Sequence, residues 1–410
     1  MGTTSENEAV PEGWRDDPWL GANPFDPAFR DDPYPALARM RLHDPVNETP
    51  IGMFRLTRYD DVVRMLKEVP SGVRLADGTI FGEVPVEGGP SEFVLRLDPP
   101  AHTRLRKLLT HAFRPRAVDR LRARVETLVD DLLDRIEEKG DLDVIADLAL
   151  PVPSTVICEM MGVPVADRDR FTQWTAAATH LLAGALGSPE VLERGQQAIR
   201  SLRDYFEILI ADRRRNLGDD VLSDLIRAEE GGDRLSPSEL MSNSIGLLIA
   251  GFETTIGLIG NGVRALLRHP DQLALLRRDP ALIDGAVEEC LRYEGPIVLT
   301  IRVTREDTRF GDRTIPANRP VMCLLAAANR DPEHFPDPDR FDVRRQENDH
   351  LAFGGGAHFC MGAHLARMEA REAIGKLVRR FPQMALESDQ AEWGASLFRV
   401  MARLPVSLRG

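Results

Sequence analysis

Near its C-terminal end the chain reads Phe353-Gly354-Gly355-Gly356-Ala357-His358-Phe359-Cys360-Met361-Gly362, followed by a helical run from Ala363 to Phe381. Glycine lets a backbone turn where side chains would clash, and lets it approach a flat ligand closely. A cysteine at the mouth of a helix feels the positive end of the helix dipole, which favours thiolate over thiol. A thiolate at the foot of a tight loop framed by phenylalanines is placed to hold the iron of a porphyrin. The chemistry this stretch points to is haem-thiolate chemistry. Cys158, Cys290 and Cys323 stand beside apolar residues and read as small core hydrophobes. A zinc site on His358, Cys360 and His364, with His350 nearby, is the competing reading. It lacks a second cysteine knuckle to complete four ligands, and glycine with phenylalanine is a poor wrapping for zinc.

A second constellation lies on the longest helical pattern. Ser236-Pro237-Ser238-Glu239 is a capping box with proline at the first helical position, and His269-Pro270 closes the pattern. That predicts about thirty residues, roughly 45–50 Å of helix, enough to cross a domain. Its centre reads Ala250-Gly251-Phe252-Glu253-Thr254-Thr255. A glycine inside a helix costs about 1 kcal/mol relative to alanine, and a flat ligand pressed against Ala250 and Gly251 would compensate. Glu253 and Thr254 then form an acid–alcohol pair beside that ligand, suited to delivering protons to reduced oxygen. The plain alternative is an exposed glutamate and a threonine bonded back to the Ala250 carbonyl.

Two further groupings carry charge. His102 and Arg106 lie one helical turn apart, on one face, where they can meet carboxylates. Glu289 and Arg292 are three apart on another helix; as an exposed pair they would contribute little.

The cysteine loop resembles the haem-binding signature Phe-x-x-Gly-x-His/Arg-x-Cys-x-Gly of the cytochrome P-450 family, met at Phe353, Gly356, His358, Cys360 and Gly362. The helix centre resembles that family's oxygen-activation motif, Ala/Gly-Gly-x-Asp/Glu-Thr. Glu289-Cys290-Leu291-Arg292 matches its Glu-x-x-Arg motif, followed by Phe335-Pro336-Asp337-Pro338-Asp339-Arg340-Phe341. The resemblance runs from about Asn23 to Leu408, with the motifs in the family's order. It implies a mainly α fold with a small β region, and haem b (iron protoporphyrin IX) between the long helix and the cysteine loop. By the same resemblance Cys360 is the axial iron ligand, and Phe353, Gly356, Ala250 and Gly251 border the haem. His102, Arg106, Arg302 and His358 grip the propionates. Thr254 holds dioxygen and a water chain while Glu253 passes protons inward. Arg340 joins Glu289 and Arg292 in a buried charged cluster that positions the cysteine loop.

The activity implied is that of a soluble bacterial monooxygenase. It would use O2 as co-substrate and take electrons, ultimately from NAD(P)H, through a separate ferredoxin and ferredoxin reductase. The expected substrate is an apolar small molecule such as a steroid, terpenoid, fatty acid or polyketide, most simply hydroxylated. Leu247, Val298, Leu299, Leu397 and Phe398 are candidate pocket residues, with residues 80–94 and 174–186 as a mobile lid. Arg104, Lys107, Arg114, Arg116 and Arg367 are candidate docking cations for the electron donor. A haem-based ligand or gas sensor would keep Cys360 and the propionate grips without needing Glu253 and Thr254.

The elements that must position these groups follow from the rest of the chain. Its 410 residues, 43% of them hydrophobic, suffice for a large core. Segments near residues 100, 300 and 360 converge on one ligand, so 21–410 is expected to be one domain, with 1–20 a polar, acidic arm. Helical patterns dominate 115–139, 201–215, 236–268 and 280–293; strands are expected at 55–57 and 320–325, with a hairpin over 310–315. The net charge of −13 argues against nucleic-acid binding. Four scattered cysteines suit a reducing cytoplasm. No run of eighteen apolar residues occurs, so no membrane span is expected. A monomer is expected.

Overall fold

The computed structural model describes residues 17, 20–23, 26–49, 51–83, 86, 88–110, 113–179, 181, 188–230, 235–394 and 398–409. Most of the expected arm lies outside the described residues, as do 84, 85 and 87 of the first lid segment and 180 and 182–186 of the second.

Six helices frame the site: α1 (Tyr59–Lys67), α2 (Ala101–Thr110), α3 (Pro151–Met160), α4 (Pro237–Arg268), α5 (Ile283–Glu294) and α6 (Ala363–Arg380). α4 is the axis of the molecule. Ser236 Oγ accepts the Glu239 N–H at 3.0 Å and the Glu239 carboxylate accepts the Ser236 N–H at 2.8 Å, so the capping box forms. His269 ends the helix ahead of Pro270. Nearly every side chain from Leu240 to Leu266 is buried on at least one side, because α3, α5 and α6 all pack on α4. By length and composition α4 could cross a membrane, but most of that stretch is buried inside the protein.

A five-stranded sheet lies to one side, built from β1 (Val46–Glu48), β2 (Phe54–Leu56), β3 (Ser71–Gly72), β4 (Thr300–Thr304) and β5 (Pro320–Cys323). The order is β1-β2-β5-β4-β3, with β2 and β5 parallel and the other pairs antiparallel. Arg302 sits on β4 opposite Val321, where the sheet holds its backbone rigidly. The expected hairpin forms between Thr308–Phe310 and Arg313–Ile315.

Three helical expectations shift. The pattern over 115–139 breaks into Pro115–Asp119 and Arg122–Lys139, a change of direction that lets both Val118 and Val125 enter the core. The helix expected from 201 begins at Pro189, capped by Ser188. The pattern over 280–293 opens as a short 3-10 turn before α5.

Candidate active site

The cysteine loop is shaped by its glycines. Gly354 and Gly356 have φ of +69° and +65°, in the left-handed region that side chains resist. A Cβ on Gly356 would overlap the carbonyl of Leu66 near the end of α1, so both conformation and space demand glycine there. The loop closes through Cys360 N–H donating to the Phe353 carbonyl at 3.0 Å. Burial pushes the Cys360 thiol up; the Gly362 N–H, then Arg106 and Arg367, and last the Ala363 N–H pull it back towards thiolate. The helix-mouth placement therefore acts through two particular amides at the start of α6. Arg367 stacks 4.5 Å over the Phe353 ring and is held by Glu288 through two bonds of 2.7 Å.

Beside the loop the donors of His102, Arg106, Arg302 and His358 gather, with Asp98 acting on His102 and Arg302 from nearby. His102 is buried, and neither of its ring nitrogens has a hydrogen-bond partner. Its ring lies 4.2 Å from that of His358, whose Nδ1 is also unpartnered. Arg106 gives one Nη to the Phe359 carbonyl and leaves the other buried and unpartnered. Arg302 is buried, with bonds only from Nη1, to Thr300 Oγ1 and the Ile301 carbonyl. Desolvation, then Arg302, His102 and Arg106, push His358 down to about 3. Desolvation and Arg106 push His102 down as well. Buried polar groups are normally paired, so donors contributed by α2, β4 and the cysteine loop mark a place for a dianion. The two carboxylates of haem fit that donor set, and the buried thiol fits its iron.

On α4, Thr254 Oγ1 donates to the Ala250 carbonyl at 3.0 Å, so the back-bond is present. Glu253 is buried rather than exposed. Its charge reaches Arg30, whose pKa burial lowers and Glu253 partly restores. A Cβ on Gly251 would come to 3.4 Å from Ile157 of α3, an ordinary van der Waals contact, so packing against α3 does not by itself require glycine here.

The charged cluster around Glu289 differs from the expectation in one member. Glu289 and Arg292 are fully buried and joined by two bonds of 2.8 Å. The third guanidinium is that of Arg345, whose Nε lies 3.2 Å from Glu289. Arg340 points outward: its side chain is 63% exposed and lies 3.9 Å from Asp342. The turn through Asp337, at φ +48°, leaves the Arg340 carbonyl facing inward, where it accepts from Arg292 and Arg345. Asp342 N–H and Asn348 complete the shell around Glu289. The cluster ties α5 to residues 336–348, which lead directly into the cysteine loop.

A family model described as cytochrome P-450 matches residues 81–392. The chain belongs to the cytochrome P-450 family. It is 45% identical over 401 residues to cytochrome P-450 107B1 of Saccharopolyspora erythraea, covering 93% of this chain and 96% of that one. It is 40% identical over 402 residues to the vitamin D(3) 25-hydroxylase of Pseudonocardia autotrophica, covering 94% and 96%. Among solved structures, P450BioI in complex with a hexadecenoic-acid-loaded acyl carrier protein superposes with a TM-score of 0.86 at 36% identity, over 93% of this chain and 99% of that one. The mainly α cytochrome P-450 fold is thus established. So are the class of enzyme, a haem-dependent oxidoreductase using O2, and its dependence on electron-donating partners and a small organic substrate.

Against this cytochrome P-450 frame the remaining expectations sort themselves. Leu247 is buried on α4, and Phe398 is partly buried against the same core. Val298 and Leu299 belong to a small cluster with Leu37, Met322 and Ala326. Leu397 lies outside the described residues. His364 turns to Asp119 at 3.3 Å, away from a shared metal with Cys360, and no cluster of metal-ligating side chains occurs among the described residues. Arg104 pairs with Glu239 and Arg367 with Glu288, while Lys107, Arg114 and Arg116 are exposed. Three residues went unnoticed in the sequence: Arg345, Arg30 and Glu369. Glu369, on α6, is buried with a hydrogen bond to Thr255 of α4, and burial pushes its carboxyl up to about 8. Arg345 could have been found from its place four residues after Phe341; for Arg30 and Glu369 no local signal existed.

Proposed function

We propose that the protein hydroxylates an apolar small molecule of the steroid, terpenoid, fatty acid or polyketide type, with Cys360 as the axial ligand of haem b. The observation that carries this reading is the convergence of unpartnered donors on His102, Arg106 and His358 beside the buried Cys360. When bound, haem supplies two-electron activation of dioxygen: substrate C–H, O2, two electrons and two protons give an alcohol and water.

The chain's own residues do the rest. The Gly362 and Ala363 amides favour the thiolate of Cys360. His102, Arg106, Arg302 and His358 hold the propionates and so fix the cofactor plane. Thr254, its proton committed to the Ala250 carbonyl, keeps its Oγ1 lone pairs free to accept a hydrogen bond from a protonated oxygen or a water. Glu253 is the acid from which protons pass inward, in a buried setting that limits uncontrolled exchange with solvent. Electrons come from NAD(P)H through a ferredoxin reductase and a ferredoxin, docked near Lys107, Arg114 and Arg116. Residues 21–410 act as one catalytic unit in a cytoplasmic monomer, and Leu20, placed by the sequence reading in an arm, packs in the cluster of Leu37 and Met322.

The test is the spectrum of the reduced, carbon-monoxide-treated holoprotein. The strongly red-shifted Soret band of thiolate ligation is expected, and Cys360→Ser should abolish it while the fold, read by far-ultraviolet circular dichroism, persists. A variant that kept the band would overturn the assignment.

A further inference from the structure

Glu288 and Glu289 are neighbours on α5, yet they serve opposite sides of it. Successive residues of a helix point about 100° apart. Glu289 turns to Arg292 and Arg345. Glu288 turns to α6 and to the segment that enters the cysteine loop. Its Oε1 accepts from Arg367 Nε and its Oε2 from Arg367 Nη2, each at 2.7 Å, a two-pronged pairing that fixes the guanidinium plane. On the other side, His350 Nε2 lies 3.1 Å from Glu288 Oε2, and His350 Nδ1 lies 3.2 Å from the Ala352 nitrogen. A backbone amide can only donate, so Nδ1 accepts, and the ring carries its proton on Nε2, which donates to Glu288. The His350 side chain is 2% exposed, so water does not compete for either bond.

Both partners of Glu288 frame Phe353. Arg367 lies 4.5 Å over its ring, and the His350 ring stands 6.0 Å from it at 45°. The Phe353 carbonyl in turn accepts the Cys360 N–H at 3.0 Å. The charge of Arg367 also reaches Cys360, where it favours thiolate. Against burial, which pushes it up, His350 and then Arg367 hold the Glu288 carboxyl down at about 2, so the pair stays charged at any working pH. We infer that Glu288 is a positioning residue for the cysteine loop that also balances the charge of Arg367, and so sets how readily the centre at Cys360 takes up an electron. The inference rests on the reading of Cys360 as the iron ligand. Reduction adds negative charge to a thiolate-bound centre, which a nearby uncompensated cation favours. The side chains of Arg367 and Glu288 are 24% and 25% exposed, so solvent screens them incompletely.

The experiment is potentiometric titration of the haem-loaded protein with small redox dyes. No ferredoxin takes part, so the place of Arg367 among the candidate docking cations does not enter. Glu288→Gln keeps the shape and removes the negative charge. It should leave about three- to tenfold more of the protein reduced at a fixed potential, a positive shift of about 30–60 mV at 59 mV per tenfold. Arg367→Gln should move the ratio the other way. The double variant should return to within about twofold of the parent, a cancellation that two independent loosenings of the loop would not produce. All three should keep the red-shifted carbon-monoxide band of thiolate ligation. Hydrogen exchange at the Ala352 amide reads the grip of His350 without reference to haem: slow in the parent, fast in His350→Phe, which keeps a ring and removes both nitrogens. Glu288→Gln at the parent's potential or below it, or with its thiolate band lost, would overturn the charge balance, as would a double variant that failed to return. Ala352 exchange unaffected by His350→Phe would overturn the positioning role. A parent protein without the thiolate band would instead overturn the haem reading, with Ala352 exchange still reporting on the grip.

Discussion

Glu369 offers a sharp test of how burial acts in this core. It lies on α6, buried, with Thr255 of α4 as its hydrogen-bonding neighbour, and desolvation lifts its carboxyl from 4.5 to about 8. A raised carboxyl means that between those values the folded protein keeps a proton which the unfolded chain has released. Stability from this group is therefore fully present below about pH 4.5 and is lost as pH rises towards 8. The slope is about 1.4 kcal/mol per pH unit, so the group alone removes roughly 2–3 kcal/mol between pH 5.5 and 7.5. Glu369→Gln keeps the shape and a hydrogen-bonding amide but has no proton to lose. Urea unfolding of holoprotein and variant in matched buffers across that range isolates the group, since every other titration is common to both. The advantage of the variant over the parent should grow by roughly 2–3 kcal/mol between pH 5.5 and 7.5. A difference that stayed constant across the range would refute the argument that this carboxyl is held neutral by its surroundings.

The charged cluster makes a contrasting pair: Arg345→Ala should cost about 2–3 kcal/mol and loosen haem retention, less than breaking a buried pair outright because Arg292 remains, while Arg340→Ala should stay within about 0.5 kcal/mol. Urea midpoints and haem loss on gel filtration would compare the two. Thr254→Ala should leave folding and ligand-induced spectral shifts intact while diverting oxidant to hydrogen peroxide; unchanged product per electron would make the threonine structural only. Lys107→Glu with Arg116→Glu should slow reduction by ferredoxin at low ionic strength and converge on the parent rate at high salt, as steering by exposed charges requires. Stopped-flow reduction rates at several salt concentrations decide this.

What could be read from the sequence alone was local. The capping box at Ser236 and Glu239, the stop at His269-Pro270 and the glycine loop before Cys360 are each completed by hydrogen bonds within a few residues, so their types and spacing suffice. The family motifs implied the cofactor, and His102, Arg106, Arg302 and His358, which the resemblance assigned to one ligand, lie together although they come from three distant segments. Tertiary structure decided which side chains meet across the fold. Arg345 rather than Arg340 reaches Glu289, because a turn at Asp337 rotates one outward. Gly246 yields to Phe93, whose ring would overlap a Cβ there. Arg104 and Arg367, candidate docking cations, pair with Glu239 and Glu288 across the fold. Glu369 is held neutral only because α6 packs on α4. In each case the deciding quantity is the distance between groups far apart along the chain, and packing sets that distance; neither periodicity nor local propensity carries it.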